Sequence, residues 1–341
     1  MRIRYILLIA FALLFGSFMV FYGGYYLINP DMRGEEILAN YGIPYPAVIA
    51  HRGSSIKAPE STASAYELAR DTGSDYLEAD VQRTRDGELI IFHDENLTRT
   101  SNVEEVFPDR AHLKVGDFTY EELKKLDFGS WFNEESRYAS PEYEGEEILT
   151  LRELIQIAKE GDHTPGLILE SKHPEKYPGI EAEIIEVLEE ENWLDNPDLA
   201  NLPQIEDSEK EFAPTIFFSF SPASLRSFKD LRPEIPRLLL INDNMIGRRN
   251  WQGWLERATE DDLAQGLGPK GFMSWPWHIA AAHEKELFVF PYTINELWQV
   301  KALARIHSSG YITDRPDVIL EFLDRLPELP ELPELVEEST H

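Results

Sequence analysis

Between residues 47 and 315 the chain alternates between short apolar runs and longer segments whose apolar residues recur three and four positions apart. The short runs are "AVIAH" (47–51), "YLEADV" (76–81), "LIIFH" (89–93), "LILES" (167–171), "IFFSF" (216–220), "RLLLI" (237–241), "GFMSW" (271–275), "FVFPY" (288–292) and "YITDR" (311–315), and each reads as a strand. Helical periodicity marks residues 61–73, 151–161 and 294–310, each closing on Gly. Strands alternating with helices imply a parallel α/β fold. The number of units predicts a (β/α)8 barrel of the TIM type rather than an open sheet. A hairpin reconciles nine candidate strands with eight barrel places. Asp86-Gly87 between the second and third runs predicts a two-residue turn. That turn would set Arg85 opposite Glu88, Asp80 opposite His93 and Glu78 opposite Glu95.

The pattern breaks in several places. Residues 5–28 carry no charge and can cross a bilayer core of about 30 Å at about 1.5 Å per residue. Arg2 and Arg4 precede the run, which places the bulk of the chain outside the cytoplasm, periplasmic or extracellular. An uncleaved signal-anchor over residues 1–30 and a cleaved signal peptide both fit. The run exceeds an ordinary signal core and no small-x-small site follows it, which favours the anchor; cleavage would make the protein secreted. A catalytic unit is expected over residues 41–326, with a polar, irregular excursion at 95–148 containing "TYEELKKL". Residues 195–214 are acidic and proline-spaced, and 242–270 contain "RRNWQGWLERATEDDL", expected to be an exposed helix. The Pro/Glu-rich tail, 327–341, repeats Leu-Pro-Glu and reads as an extended solvated end.

Charge narrows the partners. Sixty-two acids against 32 Lys and Arg give a formal charge of −30, which repels phosphate backbones and argues against nucleic acid. The absence of Cys excludes disulfides, thiolate catalysis and thiolate metal sites. Any metal must then sit on carboxylates, imidazoles or carbonyls.

The polar residues that interrupt the strand ends are the candidate chemistry. Glu78 and Asp80 are two apart and project from one face of their strand. Glu170 and Lys172 do the same further on, and His51 and Arg52 end the first strand. At the C-terminal rim of a parallel barrel these side chains, with His93, converge on one mouth. Carboxylates without thiolates make a hard oxygen site suited to Mg2+ or Ca2+. Two imidazoles provide a base and an acid, and Arg and Lys hold phosphoryl oxygens. The aromatics Trp275, Trp277, Phe220 and Tyr292 are candidates for a pocket wall, with core packing as the alternative.

In this order, "HRG" at His51, "APEST" around Glu60, "LEADV" at Glu78, "TRDG" at Thr84, "FHD" at His93, "LESK" at Glu170 and "YITDRP" resemble the glycerophosphodiester phosphodiesterase family. The resemblance runs from about Ala47 to Leu326. It implies a distorted barrel, a divalent cation, and hydrolysis of small-molecule glycerophosphodiesters to sn-glycerol 3-phosphate and an alcohol. Carried over by position, Glu78, Asp80 and Glu170 would be metal ligands, and His51 and His93 the acid–base pair. Arg52 and Lys172 would bind the substrate phosphate. Glu60 would support the site, by ligation or by a hydrogen bond. Ser61 stands where many relatives have Asn, and residues 95–148 would be the family's inserted lid. The nucleophile is either water or the substrate's glycerol 2-hydroxyl. Lysophospholipase D-type cleavage of membrane lysophospholipids is the alternative substrate reading. A catalytically silent binding barrel would lack a ligand or a histidine, and none is missing.

Overall fold

The computed structural model describes residues 2–28, 33–194, 211–242, 245 and 249–327. The strands are β1 (Ala47–His51), β2 (Tyr76–Arg83), β3 (Leu89–Ile91), β4 (Gly166–Ser171), β5 (Thr215–Ser219), β6 (Arg237–Ile241), β7 (Gly266–Pro269), β8 (Phe288–Val289) and β9 (Gly310–Thr313). Their order is β8-β7-β6-β5-β4-β2-β1-β9, every neighbour on that path being parallel, while β3 pairs antiparallel with β2 alone. The seam between the end strands is bridged just past β8, where Ile312 N donates to Pro291 O (3.0 Å) and Ile294 N to Ile312 O (2.9 Å). The result is a nearly closed eight-stranded barrel of TIM type. Helices follow the barrel strands from Ala63–Asp71 through Leu151–Lys159 to Pro316–Phe322. Thr150 and Glu153 cap the second of these reciprocally, as the Thr-x-x-Glu spacing dictates.

The period-two alternation of a strand decides what faces the barrel axis. Leu77, Ala79, Val81, Leu167 and Leu169 pack outward under the helices. Ala47, Ile49, Tyr76, Ile168, Ile216, Phe218, Leu238, Leu240, Phe288, Phe290 and Ile312 fill the interior, plugged from below by Ile37, Leu38 and Ile43. Continuing the inward set one or two steps along each strand reaches His51, Glu78 and Asp80, Glu170, Phe220, Tyr292 and Asp314. The fold therefore stacks an apolar layer beneath the polar one.

Several sequence expectations change. "GFMSW" is not a strand: Gly271–Met273 is a 3-10 turn, and the strand is the preceding Gly-Leu-Gly-Pro of β7. The hairpin register is shifted by one residue, with Val81 opposite Ile91 and Arg83 opposite Leu89. The loop holds three residues, not two. Thr84 N donates to Glu88 O (2.9 Å) across it, and Gly87 takes φ +100 at its third position. Asp80 consequently faces Phe92, whose N–H donates to Asp80 O (2.8 Å), and not His93. Glu95 pairs with Lys114 (2.7 Å) and Lys176, not with Glu78.

The helix in 242–270, Trp251–Thr259, is not simply exposed: Trp254, Leu255 and Ala258 are buried beneath it. The excursion at 95–148 is irregular but has its own apolar core, in which Val103, Val115, Phe118, Leu123 and Phe128 pack on Ile90 and Phe92. Tyr143 Oη donates to Lys57 O (3.0 Å), tying it to the loop after β1. At the N-terminus Arg2–Ile28 is helical, and its side chains from Phe11 to Val20 are exposed. Among the described residues no helix is long and apolar enough to cross a membrane, so the anchor expected over 1–30 gains no support from the fold. Most of the excursion at 195–214 and of the tail at 327–341 lies outside the described residues.

Candidate active site

All seven residues that the strand ends nominate line one cavity at the C-terminal mouth, together with Phe218, Phe220, Leu240, Tyr292 and Ile312. Parallel register sets the arrangement. His51 is level with Glu78, and Asp80 with Glu170. Glu78, Asp80 and Glu170 are buried and offer carboxylate oxygens that all lie within 4.8 Å of one another.

Two cations lie among them. Lys172 Nζ is 3.2 Å from Asp80 Oδ1 and 3.1 Å from Glu170 Oε1. Arg52 Nε lies 3.3 Å from Asp80 Oδ2 without hydrogen-bond geometry, so both of these buried atoms lack a hydrogen-bond partner. The Arg52 backbone is left-handed (φ +55), which turns its N–H onto Glu78 Oε2 at 2.8 Å. Gly53 follows at φ +84, where a Cβ would stand 2.5 Å from the Ala65 backbone. Any larger residue there would push the loop off Glu78.

Crowding shapes the protonation. Burial, reinforced by Asp80, pushes the Glu78 carboxyl well above its ordinary range against the pull of Arg52. Burial likewise carries Glu170 up to about 7, with Lys172 opposing and Asp80 adding. Burial also penalises the charge on Asp80, yet Lys172, His93, Arg52 and His51 outweigh it and hold that carboxyl well below the usual range. Three carboxylates thus share too little positive charge. An all-oxygen set of this spacing, with one orphaned buried oxygen, fits a single hard cation at about 2.0–2.6 Å from each donor.

Each histidine is backed by an aspartate. His51 Nδ1 lies 2.6 Å from Asp314 Oδ1, and Asp314 also accepts from Ser55 Oγ (3.1 Å) and Asn295 Nδ2 (2.5 Å). His93 Nδ1 lies 2.6 Å from Asp94 Oδ1. Burial opposes ionisation of both aspartates, but these hydrogen bonds keep them below the ordinary range and therefore acceptors. The Nδ1 atoms are thus donors, and Nε2 of each ring is the nitrogen left for a substrate. Burial lowers His93 itself, against Asp80 and Asp94. Glu60 stands behind the mouth and is not one of the clustered carboxylates; it accepts from Arg52 Nη1 (2.9 Å) and from Arg99. Of the backing residues, Asp94 directly follows His93 in "FHD", so adjacency could have suggested it; Asp314 in "YITDRP" stands at a strand end, where it can turn to the rim or cap a turn, and it turns to the rim. Asn295 and Arg99 carry no such signal.

His278 packs as aromatic filling, stacked on Trp251 with ring centroids 4.5 Å apart, its Nδ1 bonded to Met273 O.

A model of the glycerophosphoryl diester phosphodiesterase family matches residues 51–318. The chain is 31% identical over 271 residues to a glycerophosphodiester phosphodiesterase of Bacillus subtilis, covering 79% of this chain and 84% of that protein. It is 30% identical over 276 residues to one from Caldanaerobacter subterraneus subsp. tengcongensis, covering 81% and 97%. Among solved structures it resembles an Oleispira antarctica phosphodiesterase in complex with the product sn-glycerol-3-phosphate. That match has a TM-score of 0.64 at 30% identity, over 82% of this chain and 97% of that one.

Proposed function

This chain belongs to the glycerophosphoryl diester phosphodiesterase family and is a phosphoric diester hydrolase; from that premise we propose how its own residues act. The substrate is a small glycerophosphodiester, cleaved to sn-glycerol 3-phosphate and an alcohol. Glu78, Asp80 and Glu170 hold a divalent cation, Ca2+ or Mg2+. When bound, the cation supplies positive charge for the non-bridging phosphoryl oxygens. Arg52 and Lys172, already inside the mouth, bring further donors to those oxygens and stabilise the charge that develops on them.

The observation that carries this reading is the pair of histidines flanking the carboxylate cluster, each with Nδ1 committed to an aspartate. With Nδ1 occupied, one imidazole takes a proton at Nε2 from the nucleophile. The other delivers one from Nε2 to the leaving alkoxide. Phe220, Leu240 and Tyr292, at the ends of β5, β6 and β8, form the apolar wall, where the alcohol lies. Glu60 supports Arg52 through its hydrogen bond rather than by ligation. The test is release of sn-glycerol 3-phosphate from glycerophosphocholine, glycerophosphoethanolamine and bis-glycerophosphate, with chelator and after adding back Ca2+ or Mg2+. Turnover unaffected by exhaustive chelation would remove the cation; no turnover of any diester would remove the reaction.

A second reading has one observation in its favour. Phe272 (56% exposed), Trp275 (38%), Leu297 (40%) and Trp298 (69%) follow β7 and β8 on the mouth side of the barrel, and Phe18 of the N-terminal helix meets Trp275 edge-on at 5.6 Å. Exposed Trp and Phe suit a lipid–water boundary. On this reading the catalytic unit works outside the cytoplasm against a membrane and cleaves lysophospholipid head groups. Preference for micellar lysophosphatidylcholine over the water-soluble diesters, and fractionation with membranes, would establish it.

A further inference from the structure

We propose that Arg99 is a positioning residue that couples the acid–base histidine His93 to the phosphate-binding Arg52. Its guanidinium donates from Nε to Asp94 Oδ2 (2.5 Å), from Nη1 to Glu60 Oε2 (2.8 Å) and from Nη2 to Glu60 Oε1 (2.7 Å). Asp94 in turn accepts from His93 Nδ1, and Glu60 from Arg52 Nη1. One planar group therefore closes the path His93–Asp94–Arg99–Glu60–Arg52. No other residue among those described bonds both carboxylates.

The two ends of that path sit on different loops. Glu60 belongs to the connection after β1, whereas Asp94 and Arg99 lie just past β3, where the inserted segment begins. Neither loop is held by the barrel ladder at these positions. Their mutual distance has to be fixed by side chains, and a guanidinium does so because its fork is rigid and bidentate. Lysine offers one point charge on a flexible stem and cannot hold two carboxylates at set angles. Arg99 is not among the residues lining the cavity, and its hydrogen bonds go to Asp94 and Glu60 rather than to the three clustered carboxylates, so its part in the reaction runs through the groups it holds. Misplacing a catalytic group by about 1 Å can cost about a hundredfold in rate.

The inference rests on the reading of His93 as an acid–base residue, and the experiment separates the two. Arg99→Ala, Arg99→Lys and His93→Ala are made in the full chain and assayed on glycerophosphocholine with saturating Ca2+ or Mg2+. Thermal melts check that each variant folds. We expect Arg99→Ala to lower kcat about 10- to 100-fold, with KM within about threefold, because the lost function is alignment in the transition state. Guanidinium ion at non-denaturing concentration should restore part of that rate in Arg99→Ala and none in His93→Ala. Arg99→Lys should remain slow, and it serves if the alanine variant does not fold. Wild-type kcat in either Arg99 variant beside a dead His93→Ala overturns the inference alone. So does a loss confined to KM, or a slow, folded Arg99→Ala that does not respond to guanidinium. An active His93→Ala overturns the reading beneath it as well.

Discussion

The two halves of the barrel mouth grow from the same apolar layer and finish differently. Where β1, β2 and β4 end, the inward positions above Ile49, Tyr76 and Ile168 carry His51, Glu78, Asp80, Glu170 and Lys172. Where β5, β6 and β8 end, the equivalent positions carry Phe220, Leu240 and Tyr292, and no charge. Strand geometry is common to both, so it cannot be what makes the site. The difference lies in one further step of alternation, and on the proposed function it would divide a diester's two ends between a polar and an apolar wall.

That division can be broken by mutation. Substitutions in the ionic half should strike turnover, and those in the aromatic half should strike binding. The largest effect is expected for His51→Ala and His93→Ala, each losing at least about 100-fold in kcat with an unchanged melting profile. Near-normal turnover in either would take that ring out of the chemistry. Next come Asp314→Asn and Asp94→Asn, which free Nδ1 and let the ring turn or change tautomer; about 10- to 100-fold in kcat is expected. A rise in KM alone would contradict the role of these aspartates.

Cation binding sharpens the comparison through pH. Glu170 is raised to about 7 and Glu78 is also raised, so both favour the folded metal-free state while protonated. Their contribution is full below about pH 4.5 and is lost as pH climbs through the folded values. A divalent cation needs the ionised carboxylates, so its stabilising effect must grow over the same window. Melting temperatures with and without Ca2+ or Mg2+ should diverge from pH 5 to pH 8; a shift constant with pH would place the ion elsewhere. The smallest effect is expected for Phe220→Ala, which removes an edge-to-face contact with Tyr292 at 6.3 Å. A rise of a few fold in KM, about 1 kcal/mol, with kcat kept, is the outcome to look for.

The ionic half was legible in the sequence because period-two alternation is local: Glu78 and Asp80, or Glu170 and Lys172, must share a face wherever the strand goes. The hairpin was not, because a two-residue and a three-residue loop contain the same Asp86-Gly87. The choice depends on which position takes the left-handed backbone, and Thr84 and Glu88 close the larger loop. β7 was missed for another reason. A Cβ on Gly266 would lie 2.2 Å from the Phe288 ring, and one on Gly268 2.6 Å from Leu238, so packing from neighbouring strands demands glycine where β propensity would demand Val or Ile. Within the backing shell Arg99 and Asn295 were the least legible, since their contacts with Glu60 and Asp314 join different loops.

The bond between His51 and Asp314 spans nearly the whole barrel, from its first strand to the residue after its last. A ribosome that has released only the earlier strands holds a chain whose first histidine has no aspartate. On the acid–base role proposed for His51, catalytic competence arrives with the final strand, and nascent or C-terminally clipped chains should stay silent however well their earlier units have folded.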